Sequence, residues 1–353
     1  MTFWNKIIKV IFPRCFLEKA MSERRDIARH PKPKEPVKFE RQYAANGGAN
    51  NFALIMKAKS LFYLIGLVLA CSCERTIDLK VKDQPPKLVV DASIENDGSP
   101  LVVLSRSLNY FSTITPEELS KSFVHDAKVT ISDGSKTVQL IENSYKDSSG
   151  YSFYYYTVEF TNPPEVIIGK LNTTYNLNIQ LPDNSEYTST TTIPPLGKTC
   201  DSLWWIKAPG NPDTSRCVLY GLFIDPPGLG DYVRYFTSVN SQPFYPGYTS
   251  AFDDQITDGT TYTFQIPRGY NKNDTIKVSS DDYGFFHRGD SIVFKFCDIN
   301  KATFDFWRTW EYAYQSNGNP FSSPVKVIGN ISNGALGAFC GYAAQYKPIN
   351  IPK

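Results

Sequence analysis

The stretch Tyr175-Asn176-Leu177-Asn178-Ile179-Gln180-Leu181 sets Tyr175, Leu177, Ile179 and Leu181 on one side of the chain and Asn176, Asn178 and Gln180 on the other. Side chains alternate across a strand with a period of two, so this segment reads as a strand with one face in a core and one in water. The alternation recurs in Tyr154, Tyr156, Val158 and Phe160. Upstream, Val129 and Ile131 match Val138 and Leu140 around Ser132-Asp133-Gly134-Ser135, and Asp-Gly tolerates the positive φ of a tight turn, which predicts a hairpin. Turn clusters at Asn96-Asp97-Gly98, Ser148-Ser149-Gly150 and Pro182-Asp183-Asn184 have the spacing of an antiparallel sandwich.

Two helices interrupt the strands. Thr115-Pro116-Glu117-Glu118 is a capping box with Pro at the first helical position, predicting a helix of one or two turns. A longer one is expected from about Lys301 to Tyr314, capped by Asp298 or Asn300, with Gly318 and Pro320 beyond its end. Adjacent prolines remove ladder donors, so Ile193-Pro194-Pro195-Leu196-Gly197 marks a division. Residues 87–195 then form an N-terminal β-sandwich domain and 196–353 a C-terminal β-rich domain, with strands at Leu203-Trp204-Trp205, Val218 to Ile224, Tyr232 to Phe236 and Ser291 to Phe296. The expected class is all-β: two antiparallel β-sandwich domains of the immunoglobulin or fibronectin kind, with one short helix and one longer aromatic helix.

Composition agrees with that class. Of 353 residues 41% are apolar, 20% charged and 14% aromatic, which excludes wholesale disorder, and Tyr and Phe far outnumber Met. The net charge of +2 hides a split, because residues 1–70 carry 13 basic and 5 acidic groups while the rest carries 24 and 30, a net of −6. A nucleic-acid binder needs a clustered basic surface, so that class is set aside.

The amino-terminal region reads as an address. Met56-Lys57-Ala58-Lys59-Ser60 is a basic start, followed by the apolar run Leu61 to Leu69, too short to span a bilayer and laid out like a secretory signal over residues 56–70. Val68-Leu69-Ala70-Cys71 resembles a lipobox, whose Cys is diacylated and becomes the mature first residue. Cys71 is the expected lipidation site, and Cys73 is the alternative. Several acyl chains on one Cys hold far more firmly than one. Residues 1–55 are expected to be a non-native or disordered extension, and 71–86 the anchor and tether.

The C-terminal half carries a resemblance. Thr303-Phe304-Asp305-Phe306-Trp307-Arg308-Thr309-Trp310-Glu311, Gly318-Asn319-Pro320-Phe321-Ser322-Ser323-Pro324 and Asn330-Ile331-Ser332-Asn333-Gly334-Ala335-Leu336-Gly337-Ala338-Phe339 together resemble the signature of a Bacteroidota lipoprotein family known as domain of unknown function 4249. Leu88 to Ala92, Asp201-Ser202-Leu203-Trp204 and Asp225-Pro226-Pro227-Gly228 fall where that family has similar motifs. The resemblance implies an outer-membrane lipoprotein, lipid-anchored and surface-exposed, beside a TonB-dependent β-barrel receptor in nutrient uptake. It implies no enzymatic activity, no cofactor and no catalytic residues. An envelope structural or adhesion lipoprotein without a small-molecule ligand is the alternative.

Candidate sites follow from residue chemistry. Export to an oxidising compartment permits disulfides, and Cys200–Cys217 with Cys297–Cys340 is the favoured pairing; none of the four has metal-type close spacing. His125 and His287 lack any nucleophile elbow or zinc motif, so no catalytic role is assigned. Asp281-Asp282 with Asp290 reads as a solvated loop rather than a calcium site. The helix is aromatic on nearly every face, and Trp310, Tyr312 and Tyr314 are candidates for a partner-docking surface. The segment Tyr245 to Asp254, read as a loop, offers Tyr245, Tyr248 and Phe252 as ligand contacts.

Overall fold

The computed structural model describes residues 85–108, 115–146, 152–161, 166–272, 282–316, 322–323 and 325–353. The extension, the signal segment, Cys71 and Cys73 lie outside the described residues, as do Asp281, Gly318 and Pro320.

The segment 175–181 sits in β6 (Thr173–Gln180), with Tyr175, Leu177 and Ile179 buried and the residues between them at the surface. The hairpin forms as read: β3 (Lys128–Ser132) meets β4 (Thr137–Lys146) with Val129 opposite Leu140 and Ile131 opposite Val138. Asp133 stabilises its turn by accepting from the backbone N–H groups of Ser135 and Lys136, both at 3.0 Å. Around these run β1 (Leu88–Glu95), β2 (Leu101–Arg106), β5 (Ser152–Thr157) and β7 (Glu186–Ile193). Helix α1 (Pro116–Ser122) has the expected capping box between Thr115 and Glu118. The strand pattern breaks after Ile193, and β8 (Thr199–Lys207) follows.

The C-terminal half contributes β9 (Arg216–Ile224), β10 (Tyr232–Val239), β11 (Tyr245–Phe252), β12 (Thr261–Ile266), β13 (Phe286–His287), β14 (Ser291–Ile299), α2 (Lys301–Gln315) and β15 (Leu336–Asn350). Asn300 caps α2, accepting from the Thr303 N–H at 2.8 Å. The described chain is thus mostly β, with two helices among the described residues.

The sheet crosses the division expected at residue 195. Eleven strands run in the order β11-β10-β14-β15-β1-β2-β5-β4-β3-β6-β7, and a smaller sheet holds β12, β9, β13 and β8. β15 lies parallel to β1, from Val89 opposite Leu336 to Glu95 opposite Tyr342, and antiparallel to β14. Residues 85–353 belong to one compact unit. The two halves therefore share a sheet and do not close as separate sandwiches at the proline pair.

β15 is shared by two cores, and its alternation shows how. Phe339 and Ala343 enter the N-terminal core with Val90, Ile131, Leu177 and Ile193, while Ala338, Cys340, Tyr342 and Ala344 face the opposite way, under α2. A strand buried on both faces reads as a continuous apolar run. Gly341, between them, has the β7 backbone on top of it: a Cβ there would lie 2.6 Å from the Thr192 carbonyl oxygen. β10 and β14 divide in the same manner. Val233, Tyr235, Phe294 and Phe296 face the smaller sheet, and Phe236, Cys297 and Ile299 face α2.

The register also corrects the disulfides. All four described cysteines are buried free thiols. Cys297 stands opposite Ala344, four positions from Cys340, roughly 13 Å along the strand. Cys200 stands opposite Phe223, six positions from Cys217, roughly 20 Å away. A disulfide needs Cα atoms within about 7 Å, so neither expected bridge can close. Burial pushes the Cys200 thiol up to about 11 and that of Cys340 up to about 12, which keeps both protonated and unreactive.

Candidate functional site: an aromatic pocket between the two sheets

The smaller sheet packs over β10, β11 and β14, and an open cavity of about 290 Å³ remains between the layers. Period-two alternation builds its walls. β12 sends Tyr262, Phe264 and Ile266 inward, β9 sends Phe223, and β14 sends Phe294 and Phe296. Val233 and Tyr235 of β10, with Ala251 and Phe252 of β11, close the opposite side. From α2 come Phe304 and, one turn later, Arg308; the loop after β11 adds Asp253, Ile256 and Thr257.

The rings brace one another and not only the space between them. Phe223 stacks on Tyr262 with centroids 5.6 Å apart and tilts against Phe296 at 5.1 Å. Phe252 stacks on Tyr235 at 6.2 Å and meets the edge of Phe264 at 5.5 Å. Offset and edge-on pairs at these distances are attractive. Burial raises the pKa of Tyr262 and, further, that of Tyr235, so both phenols stay neutral at any physiological pH. The Tyr235 hydroxyl donates to the Pro267 carbonyl at 3.4 Å.

Polar groups set the rim. Thr257 donates to Asp225 Oδ2 at 2.8 Å, and Lys198 Nζ lies 2.8 Å from the same oxygen with both side chains buried. A buried pair of this kind is held by mutual attraction in a region that excludes water. Asp254 accepts from the N–H groups of Gly230 and Asp231 at 2.7 and 2.9 Å, and Asp258 from that of Gly228 at 2.6 Å. Burial opposes ionisation of Asp254, yet these N–H groups outweigh it and hold its carboxyl below the usual range. The loops 225–231 and 253–258 are thereby tied together beside the cavity.

Of the three expected ligand contacts, Phe252 lines the cavity and the other two do not. The segment is an edge strand and not a loop. Pro246 is tolerated there because an edge strand has one row of N–H groups without ladder partners. Gly247 is required because a Cβ would collide with the Tyr235 hydroxyl. Tyr248 instead joins Tyr270 and Tyr283, with centroids at 6.4 and 5.9 Å, and Tyr245 stands opposite Thr237.

The docking expectation for α2 needs correction at Trp310, which is not exposed. Trp310 is buried, stacked on Tyr314 at 5.3 Å, and Tyr314 is half-buried with its hydroxyl donating to the Lys272 carbonyl at 3.2 Å. Only Tyr312 of the three is exposed. The helix is clamped by buried polar groups that periodicity alone does not reveal. Glu311 accepts from the Ser250 N–H at 2.9 Å and its hydroxyl at 2.5 Å. Arg234 donates to Ser250 Oγ and to the Tyr342 hydroxyl, both at 3.1 Å, and its guanidinium lies 3.4 Å from the centre of the Trp307 ring. Trp307 Nε1 donates to that same Tyr342 hydroxyl at 2.8 Å.

The histidines stand apart from the cavity. His125 Nδ1 is 2.5 Å from Glu142 Oε1 at the surface, and His287 Nε2 is 3.1 Å from Asp282 Oδ1, which also takes Arg216 Nε at 3.2 Å. Asp290 accepts from the His287 N–H and from Asn240. Among the described residues no group of three His, Cys, Asp or Glu is placed to hold a metal ion.

The profile of the family described as domain of unknown function (DUF4249) matches residues 74–347. The chain belongs to that family. No curated protein matches it. The matched span of this DUF4249 chain includes every residue that lines the pocket. Tyr262, Phe264 and Ile266 do have a signal in the sequence, because Thr261-Tyr262-Thr263-Phe264-Gln265-Ile266 alternates as plainly as 175–181 does. Ile256 and Thr257 carry no such signal.

Proposed function

We propose that this protein is a lipid-anchored outer-membrane binding component that holds a small, largely apolar ligand in the aromatic pocket and works beside a TonB-dependent β-barrel receptor in nutrient uptake. The observation that carries the binding reading is the cavity of about 290 Å³ walled by Phe and Tyr, with a few polar groups at its edge. Apolar cavities with a small number of placed polar groups are the usual form of a ligand site. The anchor at Cys71, or Cys73, is supported by the basic start, the short apolar run and the lipobox-like Val68 to Cys71. The sandwich-like packing of two sheets supplies a rigid frame, the arrangement suited to binding without large rearrangement.

Affinity purification of the full-length protein from outer membranes in mild detergent tests the partnership. Recovery of a β-barrel receptor in near-equal amount is expected. Recovery of surface-layer or matrix components alone would favour the adhesion reading and end this one. Mass spectrometry of the mature terminus should find a diacylated cysteine; an unmodified terminus removes the anchor.

A further inference from the structure

Two side chains of opposite charge, Arg308 and Asp253, line the cavity. Arg308 stands one turn beyond Phe304 on α2, on the face that turns toward the cavity, and Asp253 follows Phe252 at the end of β11. The charges near them are matched: Asp305 by Lys301 at 2.6 Å, Asp225 by Lys198 at 2.8 Å, and Asp254 and Asp258 by backbone N–H groups. Neither Arg308 nor Asp253 is in an ion pair or a hydrogen bond among the described residues. They are of opposite sign, come from two different elements, and do not neutralise each other.

We infer that the pocket takes a small zwitterion with an apolar body, of the hydrophobic amino-acid class. This inference rests on the pocket being a ligand site. The side chain of such a ligand would enter among Phe223, Phe252 and Phe264, where each methylene removed from water adds to the affinity. Its carboxylate would meet the Arg308 guanidinium, whose planar fork suits two parallel hydrogen bonds. Its ammonium would meet the Asp253 carboxylate and the faces of neighbouring rings. A purely anionic ligand would face Asp253, and a purely cationic one Arg308, so only a ligand carrying both signs has each charge answered.

Calorimetric titration of the full chain with L-phenylalanine, L-tryptophan and L-leucine tests this, with N-acetyl-L-tryptophan, tryptamine and indole as analogues lacking the ammonium, the carboxylate or both. At least one of the amino acids is expected to bind, and L-tryptophan to bind tenfold or more tightly than each analogue, a difference of about 1.4 kcal/mol. Arg308→Gln should abolish the preference over tryptamine, and Asp253→Asn the preference over N-acetyl-L-tryptophan. Arg308 is exposed and Asp253 half-buried, and neither is in an ion pair or hydrogen bond that its replacement would break, so thermal melting of both variants should match that of the native chain. Binding of indole and the analogues as tight as that of the amino acids would overturn the zwitterion inference and leave the apolar site standing. Saturable binding by no compound in the set would overturn the site itself and the inference with it.

Discussion

The two halves of this molecule solve the packing problem with different side chains. Among the described residues the N-terminal core has 22 members, of which only Tyr156, Tyr175 and Phe339 are aromatic; the rest are mostly Val, Ile and Leu. The core between the sheets of the C-terminal half has 13 described members, and five of them are Phe or Tyr. Branched aliphatic chains interdigitate on a pleated surface and fill it. Rings prefer offset and edge-on contacts several ångströms apart, and a layer built from them more easily leaves space between its walls. The filled half acts as the foundation and the ring-built half holds the pocket.

The sharpest way to break this contrast is to truncate one ring in each half. Phe339→Ala should cost about 3–5 kcal/mol, because a fully buried ring leaves a cavity in a filled core. Phe264→Ala should cost far less, since that ring is 38% exposed and already borders open space. Urea unfolding measures both, and equal costs would refute the distinction. A comparable loss is expected from Lys198→Met, which strands Asp225 as a buried charge at a cost of about 3–5 kcal/mol. The double variant Lys198→Met with Asp225→Leu should recover most of it, and failure to do so would mean that the pair is more than a matched charge.

A smaller effect comes from pH. Burial raises Asp298 to about 7, against 3.8 for an ordinary aspartate. The folded protein therefore keeps this proton where the unfolded chain has lost it, so its contribution is complete below about pH 4, declines as pH rises, and is gone above about pH 7. Asp298→Asn, which cannot ionise, should gain stability relative to the native chain between those limits by at most about 1.4 kcal/mol per pH unit. A relative stability that does not change with pH would place the proton elsewhere. The smallest expected effect is that of a reductant. With no bridge to break among the four described cysteines, dithiothreitol should leave the melting temperature unchanged, whereas a disulfide is worth about 2–4 kcal/mol.

Local chemistry was readable residue by residue. Asp133-Gly134 announced the hairpin, Thr115 and Glu118 the short helix, and Asn300 the start of the longer one. Pairing across long separations was not. Nothing local in Leu336 to Asn350 says that it lies parallel to a strand some 250 residues earlier, because a segment buried on both faces lacks the alternation that reports a single core. The cysteines misled for the same reason: their bridging depends on register, and spacing along the chain does not contain it. Phe252 was picked out as an aromatic beside Pro and Gly, but its partners across the cavity come from five other elements. Alternation tells which way a side chain points and not what stands opposite. In α2 the aromatic pattern is plain, yet Arg234 and Glu311, which help clamp it through Ser250, are two buried charged residues that composition would assign to the surface.

The position of β15 has a consequence in time. A polypeptide that emerges amino end first has β1 available early, but the neighbour that β1 needs arrives more than two hundred residues afterwards. Until Phe339 and Ala343 are delivered, the early strands hold an unfinished interior, and the later ones lack the seam that joins them to it. Completion of both interiors therefore waits on the tail, whose last strand supplies residues to each.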